Sequence, residues 1–162
     1  MRKDLNMPLA VPVRQGSPDS FVKDCPLTCI GETQARLLGE AMRIANVDIH
    51  HVYASPSLRC LQTCRNILVG LGIEHKVAIA LEPGLFEWLA WYLDAMPNFL
   101  TEDEMTQAGF RLRQDYRSFI TFPELGDRRE SSEQYYMRSY YVTQCVLRST
   151  AHIGKSTGRG KI

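Results

Sequence analysis

The sequence predicts an α/β fold with a mostly parallel sheet and flanking helices. Two observations carry this. Residues 48–81 contain a short apolar run, a helical stretch and a second apolar run, "DIHHVYAS", "SLRCLQTCRNILVGL" and "KVAIAL". Strand, helix and strand in that order imply parallel strands joined by a right-handed crossover. The chain also has 162 residues, 44% of them hydrophobic and 23% charged, which suits one domain with a sizeable core.

The elements follow in order. Residues 5–27 are rich in Pro, Gly, Ser and Asp and read as an irregular segment. "TCIGETQARLLGEAMRIANV" (28–47) then predicts a helix with Thr28 as its cap and Ala35, Leu38 and Met42 on its buried stripe. Residues 48–55 read as a strand with Ile49 and Val52 as its apolar positions. Ser55-Pro56-Ser57 turns the chain into a second helix that runs to Leu71, with Pro fixing φ and Ser57 free to cap the first amides. Its apolar positions are Leu58, Leu61, Ile67, Leu68 and Leu71. Residues 76–81 form the second strand, which stops at Glu82-Pro83-Gly84.

Thr101 with Glu104 is a capping-box pattern that opens a short helix near 102–108, and residues 117–129 read as loop. Ser131 with Gln134 opens a last helix from about 132 to 148. Its tyrosines at 135, 136, 140 and 141 are expected to pack as core and rim. The domain is assigned to residues 1–147, and 148–162 to a basic, disordered tail.

Lys and Arg total 19 against 18 Asp and Glu, a formal net charge of +1. No global field therefore argues for nucleic acid or a membrane surface as partner. The first residues hold neither a leader peptide nor a span, so the chain reads as cytoplasmic, with the nucleus as the alternative. Five cysteines, an odd number, read as reduced thiols. Cys25/Cys29 and Cys60/Cys64 share one spacing, and a zinc-stapled interaction domain is the reading they would support. Against it, Cys60 and Cys64 stand one turn apart on an apolar helix, where a thiol acts as a small hydrophobe.

Arg59 raises the functional question. It falls in the first turn of the second helix, where a cation opposes the positive end of the helix dipole. A bound or nearby anion should compensate. Free helix amides together with a guanidinium fork make a pocket suited to phosphate, with Arg59 and Ser57 as its expected ligands. Glu87, in "EPGLFEW", follows the next strand end between Phe86 and Trp88. Aromatic flanks that exclude water would favour its protonated form, which makes it a candidate general acid for an oxygen leaving group. The ordinary alternatives are that Arg59 pairs with a carboxylate and that Glu87 is solvated.

"LTCIGETQARLLGEA", "HVYASPSLRCLQTCRNIL", "EPGLFEW", and "ES" with "RSYYVT" resemble successive blocks of the histidine phosphatase (phosphoglycerate-mutase-like) superfamily. Within it they resemble the phosphatase domain of the suppressor of T-cell receptor signalling proteins, which carry ubiquitin-associated and SH3 domains. The resemblance implies a doubly wound sheet and hydrolysis of phosphate monoesters through a phosphohistidine, with no metal or cofactor. It implies a phosphorylated small molecule or a phosphotyrosine protein as substrate. Arg59 matches the family's phosphate-binding arginine, and Glu87 matches its acid.

The departures from the family are as informative. The family's nucleophile lies in an Arg-His-Gly motif, and that triplet does not occur in this chain. The histidines are His50, His51, His75 and His152. Ala151-His152 repeats the end of the family's second histidine motif, so His152 is carried as a candidate second histidine. The run "TQCVLRSTAHIGKS" leaves no room, however, for the strand that should precede it. "GKST" (154–157) lacks the first Gly of a phosphate-binding loop, since Ser149 stands there.

The expectation is an incomplete doubly wound domain, truncated at both ends, that keeps the clamp and the acid and is inactive. A binding module that recognises phospho-ligands or a protein through Arg59 is the alternative. Loss of central strands would expose sheet edges, so a partner is expected, a homodimer among the options.

Overall fold

The structure, a computed structural model, describes residues 4–14, 18–126 and 129–151. Helix α1 spans Cys29–Ile44 and is capped by Thr28, whose hydroxyl accepts from Gly31 N. Strand β1 (Val52–Ala54) leads into α2 (Leu58–Leu71), and β2 (Ile79–Leu81) returns beside β1. The strands are parallel, with Val52 opposite Ile79 and Ala54 opposite Leu81. Both are shorter than the apolar runs that predicted them. A third segment extends the sheet beyond β2: Ile79 N donates to Arg111 O and Arg113 N donates to Ile79 O.

Helix α2 covers one face of this sheet. Its Leu58, Leu61 and Leu68 meet Ala54, Ile79 and Leu112 in the main core, which Leu100, Met105 and Phe110 close. Helix α3 (Glu102–Gln107) supplies Met105 and starts with the predicted capping box. A smaller core of Phe86, Leu89 and Leu125 lies under the turn after β2. Its Leu125 comes from α4 (Phe122–Leu125), a short helix inside the stretch expected to be loop, where Glu124 accepts from Thr121 N. Helix α5 (Ser132–Ala151) opens on the Ser131–Gln134 capping box and continues beyond the predicted end at 148 into the assigned tail.

Helices α1 and α2 touch through their backbones. A Cβ at Gly39 would fall inside the contact radius of the Ile67 carbonyl, and one at Gly70 would meet the Arg36 carbonyl. Backbone cannot yield as a side-chain tip can. Gly39→Ala is therefore expected to cost about 3 kcal/mol, the upper end of ordinary overpacking. Chemical denaturation checks this, and an unchanged midpoint would contradict the close packing.

Two buried sets differ from expectation. In α1 the buried residues are Ala35 and Gly39, while Leu38 is 52% exposed, because α1 lies against α2 and not against the sheet. In α5 only Val142 is buried, and Tyr136, Tyr140 and Tyr141 are exposed, so these tyrosines are not core. Among the described residues β1 pairs only with β2, and its other edge is open. A cleft of about 610 Å³ runs along that edge, lined by Met42, Ile49, Val52, Cys64, Ile67 and Leu71 among others. No described helix is long and apolar enough to cross a membrane.

Candidate functional site

Parallel strands deliver their following residues to one side of the sheet, and the site forms there. β1 ends at Ala54 and α2 begins at Leu58, so Arg59 stands in the first helical turn, as expected. β2 ends at Leu81, and the 3₁₀ turn Pro83–Leu85 brings Glu87 back toward α2. The two meet: Arg59 Nη2 donates to Glu87 Oε1. The same oxygen accepts from the Tyr92 hydroxyl at 2.5 Å. Both partners of the ion pair are about one-third exposed, at 35% and 38%, so solvent reaches the pocket.

The Arg59 cation therefore has two anionic compensations. Glu87 takes the guanidinium, and Asp24 takes the helix terminus. Asp24 is fully buried, its Oδ1 accepts from Leu58 N at 2.7 Å, and its Oδ2 accepts from Arg14 Nη2 at 2.9 Å. This corrects the expected role of Ser57, which makes no capping bond. The Ser57 hydroxyl is buried and lies 3.4 Å from that of Ser55. It correctly marks the helix start, but the cap comes from 34 residues upstream. It also narrows the amide cradle. Leu58 N is taken by Asp24, while Cys60 N and Leu61 N turn back to Ser57 O. An anion here is left with the Arg59 side chain and the Arg59 amide, the one of these first-turn amides not taken by these bonds.

The electrostatics follow from these contacts. Burial alone would lower the Arg59 pKa, but the charge and hydrogen bond of Glu87 outweigh it and raise the value. Burial, reinforced by the bond to Glu87, pushes the Tyr92 phenol up to about 12, so it donates at neutral pH. Burial also raises the Cys60 thiol despite Arg59 and the Ser55 and Ser57 hydroxyls. Burial and then Cys60 push Cys64 to about 12. Neither cysteine is an activated thiolate.

The flanking aromatics do not shield Glu87 as expected. Phe86 is buried in the smaller core, against Tyr92 and Phe99. Trp88 is turned to donate from Nε1 to Glu130 O. The Glu87 carboxyl is instead an ion-paired, partly exposed group.

The histidines lie elsewhere. His50 pairs with Asp48 on the surface and His75 is exposed. His51 precedes β1, with a buried Nε2 that has no partner. Among the described residues no histidine hydrogen-bonds to Arg59 or Glu87. His152 and residues 154–157 lie outside the described residues. Among the described residues no three or more His, Cys, Asp or Glu side chains gather as a metal site, so the two cysteine pairs do not come together in one cluster.

Tyr92, Asp24 and Arg14 were not singled out from the sequence. Tyr92 follows Glu87 by five residues across a 3₁₀ turn, Leu89–Tyr92, and that spacing carries no helical or strand signature.

Comparison with known proteins gives the family. The model of the histidine phosphatase superfamily (branch 1) matches residues 16–151. An ecdysteroid-phosphate phosphatase of Drosophila melanogaster is 48% identical over 151 residues, covering 93% of this chain and 20% of the relative. The ubiquitin-associated and SH3 domain-containing protein B of Homo sapiens is 42% identical over 148 residues, covering 91% of this chain and 23% of that protein. Among solved structures, the ecdysone phosphate phosphatase of Bombyx mori in complex with tungstate superposes with a TM-score of 0.83 at 38% identity, covering 95% of this chain and 58% of that one. The chain thus spans about a fifth of the length of these curated relatives. A family match over most of the chain, relatives at 42–48% identity and a shared α/β fold agree: this chain belongs to the histidine phosphatase superfamily, branch 1.

Proposed function

We propose that the Arg59 pocket recognises the phosphoryl group of a phosphate monoester and that this chain alone does not hydrolyse it. The observation that carries the reading is the meeting of Arg59 and Glu87 at the carboxyl ends of adjacent parallel strands. A guanidinium fork complements phosphoryl oxygens. A carboxyl beside it is placed to serve a leaving oxygen as general acid once it is protonated. Covalent attack needs a nucleophile as well. The chain has no Arg-His-Gly triplet, and a clamp with an acid does not replace that step. The relatives' names include phosphatases of a phosphorylated steroid, which supports a phosphorylated small molecule as ligand. A phosphotyrosine protein presents the same phosphoryl group, so both remain within the proposal.

Tungstate titration of the purified protein tests it. Saturable binding is expected in the wild type and at least a tenfold loss in Arg59→Ala, since charge-assisted bonds to an anion contribute about 1.5–3 kcal/mol. Turnover of p-nitrophenyl phosphate should stay at background. Binding that ignores Arg59→Ala would remove the pocket, and turnover abolished by His152→Ala would show that the chain carries its own catalytic histidine.

A further inference from the structure

Glu87 is held to Arg59 and Tyr92 by its side chain, but its backbone is held from another part of the chain. The Arg138 guanidinium, on α5, forks onto Glu130, with Nε to Oε1 at 2.7 Å and Nη2 to Oε2 at 2.9 Å. Its remaining N–H groups reach the carbonyls of Gly84 (2.8 Å), Phe86 (2.8 Å) and Glu87 (3.2 Å). Every donor of the fork is thereby used. Glu130 continues the grip beyond Glu87: its Oε2 accepts from Leu89 N at 3.1 Å, and its backbone carbonyl accepts from the Trp88 indole at 2.8 Å.

This segment needs such a grip. Its own backbone bonds are those of one short turn, Leu85 N to Glu82 O and Phe86 N to Pro83 O. The chain leaves that turn extended at Phe86 (φ −65, ψ 152), so the following carbonyls have no ladder to join and require outside donors. Helix α5, in turn, brings a single buried apolar residue, Val142, which packs on Gly84 where a Cβ would not fit. The Arg138–Glu130 pair is nearly buried, with side chains 9% and 8% exposed. Burying an ion pair is a poor way to gain stability but a good way to fix one geometry.

We infer that the Arg138–Glu130 pair is a positioning device for Glu87, clamping the backbone on both sides of it so that its carboxyl meets Arg59 and tempers the pocket's hold on anions. The affinity part of this inference rests on the anion-pocket reading above, whereas the geometric part does not. Arg138 touches no reacting group and acts only through the segment it holds. Lysine would keep the charge but cannot supply the planar fork that serves three carbonyls and a carboxylate together.

The test compares Arg138→Lys, Glu87→Gln and the double variant by tungstate titration and by the NMR resonance of the Arg59 Nε–H. Removing the Glu87 charge should tighten tungstate about two- to fivefold, the range of a partly exposed ion pair. Arg138→Lys should tighten it similarly and move the Arg59 resonance to the Glu87→Gln position, with no further change in the double variant. General loosening of the structure would weaken tungstate binding, so the sign separates positioning from mere support. A lower melting temperature in Arg138→Lys with wild-type affinity and an unmoved Arg59 resonance would overturn the inference. So would effects that add in the double variant. If Arg138→Lys does not fold, Glu130→Gln, which keeps the volume, carries the same comparison. Absence of tungstate binding in the wild type, with the Arg59 resonance still moved by Arg138→Lys, would remove the anion pocket and leave the positioning in place.

Discussion

Glu82→Ala is expected to destabilise the domain by about 3–5 kcal/mol, because one fully buried carboxylate satisfies donors from three directions. Oε1 accepts from Gly84 N (2.9 Å) and Ile120 N (3.2 Å), and Oε2 accepts from Phe119 N (2.7 Å) and the Tyr116 hydroxyl (2.6 Å). Removing it strands these donors, and each unsatisfied buried group costs about 1–3 kcal/mol, partly recovered by water. Set against a total stability of about 5–15 kcal/mol, such a loss approaches unfolding. Glu82 sits at the end of β2 and ties the turn that carries Glu87 to residues 116–120, so the site should fail with the fold. Urea denaturation measures the change. A loss below about 1 kcal/mol would mean that these donors find water. Burial, with the bond to Glu82, also raises the Tyr116 pKa, so this phenol stays a donor.

Asp24→Ala should be similarly severe, for a different reason. The Arg14 and Asp24 side chains are only 2% and 1% exposed. Removing the carboxylate leaves the Arg14 guanidinium buried, with Ser20 O as its remaining acceptor and an Nε that already has no partner. Breaking a buried pair in this way costs about 3–5 kcal/mol, and loss of the α2 cap adds about 1 kcal/mol. Calorimetry or urea denaturation checks the sum. Asp24→Asn, which can still accept from Leu58 N, should retain the cap contribution.

The pH dependence has a definite sign. Burial raises the Asp24 pKa above 3.8 against the opposing pull of Leu58 N and Arg14. The folded state therefore binds the proton more tightly than the unfolded state. The proton-linked part of Asp24's contribution, separate from its bonds to Arg14 and Leu58 N, is fully present below 3.8 and is lost as pH rises through the raised value. Asp24→Asn should remove that step from the stability profile.

Much of this molecule could be read locally. The starts of α1, α3 and α5 were legible because their caps Thr28, Thr101 and Ser131 bond to amides three residues on. The centres of β1, α2 and β2 were legible from apolar periodicity. Arg59 and Glu87 were legible because residues just past parallel strand ends share one side of a sheet. Where local reading failed, distance along the chain was the cause. Leu38 looked like core because periodicity tells which residues share a face, but not what that face meets. The α5 tyrosines were misread for the same reason.

The sequence by itself determined the family, the α/β class, the order of the elements and the two residues that face each other in the pocket, all of which depend on motifs or on short-range geometry. Only the tertiary structure decided what those residues touch. Asp24, not Ser57, caps the helix that carries Arg59 from 34 residues away. Tyr92 joins Arg59 on one Glu87 oxygen. Arg138 holds the Glu87 segment from 51 to 54 residues away. "ES" and "RSYYVT" contain both members of that last pair, but their spacing points at no target. Long-range hydrogen bonds are set by how elements pack, and packing depends on the whole chain at once.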